Sequence, residues 1–175
     1  MTGKGSLNHN SRKFHAKNTD PNRTHWNVEY CNEDIKDVYH ELFDDALKRY
    51  NDKQTRKDRK IDDYYEKIRS GKQEKLFHEV ILQIGDKDNM GSETMEGQLA
   101  AKILDEYMKG FQERNPTLRV FAAHLHLDEA TPHLHIDFIP YVTGSKRGLD
   151  TRVSLKQALS SLGFKGGSRS ETELN

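Results

Sequence analysis

Residues 124–140 read HLHLDEATPHLHIDFIP, and this stretch sets the fold that the rest of the chain has to support. Apolar and polar residues alternate on both sides of a short Asp-Glu-Ala-Thr-Pro turn. Because successive side chains of a strand point to opposite faces, the histidines within each run share one face. An antiparallel hairpin across the turn can then bring the histidines of both strands to one side of a sheet. They are His124 and His126 before the turn, and His133 and His135, in line with Asp137, after it.

Imidazole groups at this density predict a metal site on the hairpin. One ion needs its nitrogen ligands within about 2.0–2.2 Å, and a rigid hairpin can hold three of them at little ordering cost. Three neutral imidazoles with carboxylates nearby suit Zn²⁺, Mn²⁺, Co²⁺ or Ni²⁺ better than Mg²⁺ or Ca²⁺, which prefer oxygen ligands. If His126, His133 and His135 all bind, the ion keeps open positions, which is typical of a catalytic site. The alternative is a polar sheet face with structural histidines, although strand packing does not require so many titratable groups together.

The bulk composition limits the classes of protein that fit. The chain has 175 residues, which suits one domain, residues 1–175, with a real core. Charged residues make up 32% of the chain, yet the formal net charge is zero, which argues against coating nucleic acid through bulk charge. Basic residues nevertheless concentrate in residues 48–60 and 146–169. The two segments could together form a basic groove.

Cysteine content and hydropathy indicate the compartment. Cys31 is the only cysteine, so there is no disulfide framework. No apolar run is long enough to span a membrane, and the polar N-terminus does not resemble a signal peptide. We therefore expect a cytoplasmic protein. Because the end of the chain, GGSRSETELN, is polar and completes no element, we also expect the chain to be cut from a longer protein.

The pattern outside the hairpin predicts the order strand, helix, helix, strand, helix, strand, strand, helix. Alternation over residues 25–30 predicts the first strand, and the apolar run at residues 76–84 predicts a strand that is central in the sheet. The fold class is therefore α+β, an antiparallel sheet flanked by helices with the metal site on a central β-hairpin. The predicted helices run from a cap at Asn32 to Tyr50, from Ile61 to Gly71, from Ser92–Thr94 to Asn115, and from a cap at Ser154 to Gly163.

The predicted metal site is suited to two kinds of chemistry. An ion with open positions can act as a Lewis acid on a phosphoryl oxygen or can activate a water. The two basic segments favour a phosphate-rich substrate. The residues alone therefore predict metal-assisted phosphoryl transfer, with nucleic acid as a candidate substrate.

Two motifs resemble one known family. The run His126-Leu-Asp-Glu-Ala-Thr-Pro-His-Leu-His135 resembles the H-x-D-E-x-T-P-H-x-H signature of the plasmid mobilisation and recombination (Mob/Pre, or MobV) relaxases. Its last three residues match the core that names the wider HUH endonuclease superfamily. A second match lies in residues 1–24, a polar loop or arm that carries His9, Arg12 and His15. There His9-Asn10-Ser11-Arg12 resembles the family's first motif, and DPNRTHWN, residues 20–27, resembles the stretch that follows it.

The resemblance implies nicking of one DNA strand at an origin of transfer, as used in conjugative mobilisation of a plasmid or an integrative element. His126, His133 and His135 would hold the ion, usually Mn²⁺ or Mg²⁺ in such enzymes. The first motif offers a histidine, so His9 would be the nucleophile and would form a covalent adduct with the DNA 5′ phosphate. Most relaxase families use a tyrosine instead, and Tyr30 is the first tyrosine of this chain.

The resemblance also suggests roles for the residues around these groups. Glu129 would take up a proton or orient a metal ligand. Asp128 would hold a metal ligand in position without binding the ion itself. The expected partner is origin-of-transfer DNA, single-stranded with an adjacent duplex or hairpin, together with proteins of the transfer apparatus. Residues expected to contact this DNA are Arg12, Arg23, His25 and Asn27. Arg56 and Arg59, spaced as R-x-x-R on a predicted helix, are expected to contact the duplex or hairpin beside the nick, and the alternative for them is a solvated helix face. Only eight residues precede His9, so a leading strand of longer relatives could be missing here.

Two other functions fit the same residues. A metal-dependent phosphoesterase or replication-initiator-like nuclease would use an activated water, with His9 as a binding residue only. A DNA-binding module with a structural metal would have no activity, and its fold would depend on His133. A cupin-type oxygenase also uses an H-x-H pair, but the predicted helices and the missing glycine-rich strand pattern argue against it.

Overall fold

The computed structural model describes residues 2–3, 6–14 and 16–164. His15 and residues 165–175, including the polar end of the chain, lie outside the described residues. Described helices and strands alternate along the chain much as the sequence pattern predicts. None of the helices in these ranges is long and apolar enough to cross a membrane.

The strands form one six-stranded antiparallel sheet. They are β1 (Thr2–Gly3), β2 (Val28–Asn32), β3 (His78–Gln83), β4 (Leu118–His126), β5 (His133–Val142) and β6 (Arg152–Val153). The order across the sheet is β1-β3-β5-β4-β2, and β6 pairs with β5. The hairpin of β4 and β5 therefore occupies the middle of the sheet. This confirms the predicted fold class and the position of the hairpin.

Six α-helices accompany the sheet. They are α1 (Leu7–Asn10), α2 (Ile35–Asp52), α3 (Tyr64–Ser70), α4 (Met95–Lys109), α5 (Phe111–Arg114) and α6 (Leu155–Ser161). Short 3-10 helices add Thr24–Trp26 and Lys57–Arg59. The four longer helices begin at side-chain caps, because an oxygen of Asp34, Asp63, Thr94 or Ser154 accepts from a backbone N–H of the first turn.

The described residues divide into two compact units. The first unit takes its residues from Met1–Glu33, His78–Arg114 and Val120–Phe138. Its core is built from the inward residues of β4 and β5 and the buried stripe of α4, since Phe121, Leu134 and Ile136 are all 0% exposed. Each such apolar side chain contributes about 1.5–3 kcal/mol by leaving water.

The second unit takes its residues from Asp34–Phe77, Asn115–Arg119 and Ile139–Asn175. Here α2 and α3 pack through an aromatic cluster, in which the Phe43 ring lies 5.2 Å from Tyr39 and 5.0 Å from Tyr64. The Tyr64 hydroxyl accepts from the Val153 backbone N–H at 3.2 Å, which joins α3 to β6. The prediction of a single domain over residues 1–175 stays a prediction.

Several local predictions were wrong, each for a physical reason. The first strand begins at Val28, because residues 24–26 turn as a 3-10 helix, and its register shifts between Glu29 and Cys31. The cap of α2 is Asp34, whose carboxylate accepts from the Lys36 N–H at 2.8 Å, not Asn32.

Two further differences concern the sheet and the arm. Strand β3 has only the two-residue β1 beyond it, so it is not central despite its apolar run. The polar arm contains the helix α1, and a short leading strand does pair with β3, through Thr2 with Val80 and Gly3 with Glu79. Neither the helix nor the strand has a periodic apolar pattern long enough to be read from the sequence.

Candidate active site

Three histidines of the central hairpin form one cluster. His126 ends β4, and His133 and His135 lie on one face of β5, so the hairpin register brings them together. One ligand nitrogen from each lies within 4.8 Å of the other two, and all three residues are buried. Their ring centroids are 4.9 to 5.2 Å apart. The spacing leaves room for one ion between them after small side-chain movements.

The hydrogen bonds of the three rings decide which nitrogens keep a lone pair. His133 Nδ1 lies 2.9 Å from the Thr131 carbonyl oxygen, and His135 Nδ1 lies 2.7 Å from Glu79 Oε1. His126 Nε2 lies 2.8 Å from the Asn10 carbonyl oxygen. These oxygens only accept, so each of these nitrogens carries the hydrogen and the opposite ring nitrogen keeps its lone pair.

The remaining nitrogens fit a metal ion. His126 Nδ1 and His135 Nε2 are buried and have no hydrogen-bond partner within the described ranges. A buried acceptor without a partner is costly, and a bound cation would satisfy it. Burial and the Arg12 charge lower the pKa of His126 to about 2, and burial also lowers the pKa of His133. Both rings therefore stay neutral, as a metal ligand must.

A buried polar network behind the triad was missed by sequence reasoning. The Asn10 side-chain amide donates to Glu79 Oε1 at 2.9 Å and to Asp137 Oδ2 at 3.1 Å. Burial and the Glu79 charge raise the pKa of Asp137 to about 7. Burial alone would raise the pKa of Glu79, but hydrogen bonds from His135 and Asn10 outweigh it and lower that pKa. The available signal was Glu79, the one acidic residue of β3.

Arg12 joins the arm to the turn of the hairpin. Its guanidinium donates to Asp128 at 2.9 and 2.5 Å and to Glu129 Oε1 at 2.8 Å, and its side chain is only 8% exposed. Arg12 follows α1 with a φ of 52°, a left-handed conformation that costs about 1–2 kcal/mol in a residue other than glycine. Three charge-assisted hydrogen bonds offset that strain. Arg12 is thus engaged by carboxylates, while its contact with phosphate stays a prediction.

His9 lies beside both the triad and the hairpin turn. Its ring centroid is 6.1 Å from that of His126 and 6.5 Å from that of His135. Arg12 Nη1 lies 3.2 Å from His9 Nε2, and Glu129 Oε1 lies 3.4 Å from the same nitrogen. Since Arg12 can only donate, this contact favours an Nε2 that is unprotonated.

Glu129 connects several of these groups. Besides Arg12, its carboxylate accepts from the Asn18 side-chain amide at 2.6 Å, and it lies 3.8 Å from His133 Nε2. The Ser92 hydroxyl donates to the Glu129 carbonyl oxygen at 2.9 Å. Contacts to both the side chain and the backbone of Glu129 therefore hold the turn in place. Neither Asn18 nor Ser92 was identified from the sequence.

The residues expected to contact DNA are placed in different ways. Arg23 donates to the carbonyl oxygens of Leu127 and Glu129 at 3.2 and 3.3 Å, and Asn27 Oδ1 accepts from the Leu127 N–H at 2.7 Å, so both support the hairpin turn. His25 is exposed. All three belong to the first unit with the triad.

Arg56 and Arg59 belong to the second unit. Arg56 immediately precedes a 3-10 helix, Lys57–Arg59, and Arg59 ends it, so the two do not lie on an α-helix, and both are exposed. His124, which alternates with His126, lies outside the triad and pairs with Glu29 at 3.1 Å. Burial lowers the pKa of His124 despite that carboxylate.

Comparisons with known proteins agree with this geometry. The model of one family, described as plasmid recombination enzyme (Mob_Pre), matches residues 4–163. No curated protein sequence matches the chain significantly. A manganese-bound crystal structure at pH 5.5 of the MobM relaxase domain with a 22-nucleotide origin DNA of plasmid pMV158 is 26% identical, with a TM-score of 0.50. That match covers 94% of this chain and 70% of the other.

A second structure of the same domain, with a 23-nucleotide DNA at pH 6.5, is 24% identical, has a TM-score of 0.43, and covers 97% of this chain and 84% of the other. The family model matches nearly the whole described chain and includes both the His9 motif and the triad. The chain therefore belongs to the plasmid recombination enzyme (Mob_Pre) family.

Proposed function

We propose that the chain is a relaxase that nicks one DNA strand at an origin of transfer and stays covalently joined to the 5′ phosphate. One observation carries the proposal. His9 lies beside a buried triad of imidazoles, with ring centroids 6.1 and 6.5 Å from His126 and His135. A nucleophile next to a metal site with open positions suits transesterification of a phosphodiester.

His9 supplies the nucleophile in this proposal, and Tyr30 does not. The His9 side chain is 24% exposed, so a strand can reach Nε2. The Tyr30 hydroxyl donates to Asp105 Oδ1 at 2.8 Å, on α4. Burial and this hydrogen bond raise the pKa of Tyr30 far above its usual value, which disfavours the phenolate that would have to attack.

The proposed step conserves atoms and charge. The lone pair of His9 Nε2 attacks phosphorus, an N–P bond forms, and the bond from phosphorus to the 3′ oxygen breaks. The 3′ oxygen keeps the electron pair and takes up a proton from water, which gives a free 3′ hydroxyl. The ring, now joined to phosphorus through Nε2, releases its Nδ1 proton to water and becomes neutral again. The product is a phosphoramidate, and attack by a 3′ hydroxyl in the reverse direction reseals the strand.

Glu129 and Arg12 prepare His9 for this step. Glu129 Oε1 lies 3.4 Å from Nε2, so its carboxylate can orient the ring and offset the positive charge that the ring gains as the N–P bond forms. Arg12 donates to both Glu129 and Asp128, which holds the two carboxylates in place. Asp128 thus acts through Arg12, which it holds in place, and is a positioning residue.

The triad would hold a divalent ion, with Mn²⁺ as the first choice and Mg²⁺, Zn²⁺, Co²⁺ or Ni²⁺ as the others. His126, His133 and His135 are the ligands, and Glu79 orients His135. When bound, such an ion polarises a phosphate oxygen and offsets the negative charge that develops during the attack.

The partners in this proposal are origin-of-transfer DNA and proteins of the transfer apparatus, and the location is the cytoplasm. His25 and Asn27 in the first unit, and Arg56 and Arg59 in the second, are proposed DNA contacts. Arg12 and Arg23 already bind groups of the protein, so phosphate would have to compete for them or share their remaining N–H groups.

The decisive experiment compares wild-type protein, His9→Ala and Tyr30→Phe. Each is incubated with Mn²⁺ and supercoiled or single-stranded DNA that contains the origin of the encoding element. We expect a covalent protein–DNA band on a denaturing gel for wild type and Tyr30→Phe, but not for His9→Ala. The band should be lost in mild acid, since a phosphoramidate is acid-labile and a tyrosyl phosphodiester is not.

Other outcomes identify the alternatives. An adduct retained in His9→Ala rejects histidine as the nucleophile. Multiple-turnover release of free DNA ends without an adduct points to a phosphoesterase that uses activated water. A His133→Ala variant that unfolds, as judged by circular dichroism, would support a structural metal, whereas a folded and inactive variant supports catalysis.

A further inference from the structure

Two aromatic side chains near the proposed nucleophile are exposed to solvent. Phe14 is 50% exposed and Trp26 is 38% exposed, and both belong to the first unit. Single exposed apolar residues are common on protein surfaces. Their positions relative to the site therefore have to carry the argument.

The Phe14 ring borders the nitrogen that the proposed function assigns to the attack. Its centroid lies 5.9 Å from that of His9, and the two ring planes are inclined by 48°. His9 is in turn fixed by Arg12, which binds the hairpin turn. A strand that brings a phosphodiester to His9 must pass its neighbouring bases close to this phenyl ring.

Trp26 belongs to a segment that is joined to the same turn by hydrogen bonds. It ends the 3-10 helix Thr24–Trp26, and the next residue, Asn27, accepts at its side-chain oxygen from the Leu127 and Asp128 N–H groups at 2.7 and 3.1 Å. The Thr24 hydroxyl lies 3.3 Å from an Asp128 oxygen. The indole is thus presented by a short, anchored segment, and its ring meets the exposed His25 ring at 6.0 Å.

We propose that Phe14 and Trp26 are stacking residues for unpaired nucleobases near the nicked phosphate. The inference rests on the proposed function, because it needs a single strand at His9. A phenyl ring cannot bind phosphate, but it can stack on the face of any base. A duplex hides its base faces, so these rings select a single-stranded substrate.

Binding is measured with a fluorescein-labelled single-stranded oligonucleotide of origin sequence, with a chelator present so that no cleavage occurs. We expect Phe14→Ala and Trp26→Ala each to weaken binding by about 5- to 100-fold. Phe14→Tyr should stay close to wild type, while Phe14→Leu, which keeps apolar bulk without a ring face, should behave like alanine. Phe164→Ala is the matched control, since Phe164 is 52% exposed but belongs to the second unit.

An abasic scan of the oligonucleotide locates the stacked base. Removing the base that Phe14 contacts should weaken binding to wild type and abolish the difference between wild type and Phe14→Ala. A Phe14→Ala loss that is equal at every abasic position overturns stacking by Phe14. Equal losses on fully duplex DNA, or wild-type binding by both alanine variants, overturn the proposal as a whole.

Stacking by Trp26 can also be followed by tryptophan fluorescence, because Trp26 is the only tryptophan of the chain. Single-stranded DNA should quench its fluorescence in wild type and in His9→Ala, and absence of quenching in both rejects stacking by Trp26. A covalent adduct in wild type together with unchanged binding by the alanine variants would reject only this inference. Quenching and weakened binding without any adduct would reject only the nicking activity.

Discussion

Arg12 shows how one buried ion pair can hold the arm to the site. Its partner Asp128 is 0% exposed and would stay buried without a counter-charge if the guanidinium were removed. Breaking a buried pair in this way costs about 3–5 kcal/mol. We expect Arg12→Met to lower the free energy of urea unfolding by that amount, and Arg12→Lys to lower it less, since lysine cannot bind both oxygens of Asp128.

Arg56 provides the control for this prediction. It also binds an aspartate in a two-pronged arrangement, with hydrogen bonds of 3.0 and 2.6 Å to Asp58. Both side chains of that pair are more than 60% exposed, so water screens them. Arg56→Met should leave the unfolding midpoint almost unchanged. Equal effects of the two substitutions would show that burial does not matter for the Arg12 pair.

Glu79 is expected to tune the affinity of the triad for its ion. Its carboxylate accepts from His135 Nδ1 at 2.7 Å, which fixes the tautomer that leaves Nε2 as a ligand. Loss of such a partner typically lowers metal affinity about 10–100-fold. We therefore predict that Glu79→Gln weakens Mn²⁺ binding by this factor in titration calorimetry.

The matched control is Glu29→Gln. Glu29 contacts a histidine in the same way, His124 at 3.1 Å, but His124 is not part of the triad. Its substitution should leave the Mn²⁺ affinity within about twofold of wild type, because a change at this exposed site stays small. If both variants lost affinity equally, His124 would have to be counted among the ligands.

The hairpin of β4 and β5 could be predicted because the pattern that specifies it lies within one continuous stretch of sequence. A period of two in residues 118–142 determines which faces carry the histidines, and no distant contact is needed to read it. The arm is different. Helix α1 has four residues, and it is held by contacts of Asn10 with Glu79 and Asp137 that span 69 and 127 residues. Such pairings depend on sheet order, which periodicity does not reveal.

The same limit explains the misplaced central strand. The apolar run of β3 correctly predicted a strand, but only His78 and Glu79 of its residues are buried, and Ile81 is 37% exposed. Strand β3 pairs with β5 on one side and, through Glu79 and Val80, with β1 on the other. The composition of the run indicates a strand, but it determines neither the burial of that strand nor its place in the sheet.

In helix α4, intrinsic helix propensity and steric clash predict opposite effects for one substitution. Gly97 lies in its first turn, and alanine is favoured over glycine within helices by about 1 kcal/mol. A Cβ at Gly97, however, would collide with the backbone carbonyl of Gly91. We predict that Gly97→Ala destabilises the protein by about 1–3 kcal/mol, the usual cost of overpacking, as measured by urea unfolding.

Gly110, at the end of the same helix, serves as the comparison. A Cβ there would meet only the guanidinium of Arg114, a flexible group that can move away. Gly110→Ala should therefore change the unfolding free energy much less. A stabilising effect of Gly97→Ala would show that the loop at Gly91 yields easily and that propensity dominates.

At the scale of the whole molecule, the proposed chemistry and the basic segments belong to different units. The triad, His9 and Arg12 belong to the first unit, whereas the described parts of both basic segments, residues 48–60 and 146–164, belong to the second. A net charge of zero thus hides an uneven distribution. Catalysis and duplex binding are therefore expected to respond to separate substitutions.

Arg59 tests this separation. It is exposed, and no carboxylate among the described residues forms an ion pair with it, whereas Asp58 already neutralises Arg56. A lysine or arginine that neutralises one DNA phosphate contributes about one unit to the dependence of log affinity on log salt. We predict that Arg59→Gln lowers this slope by about one unit on origin DNA with its flanking duplex, and that Arg56→Gln lowers it less. Adduct formation on a short single strand should be unchanged in both. Lys102→Gln, at an exposed position of α4 in the first unit, is the control, and an equal loss of slope there would mean that only total charge matters.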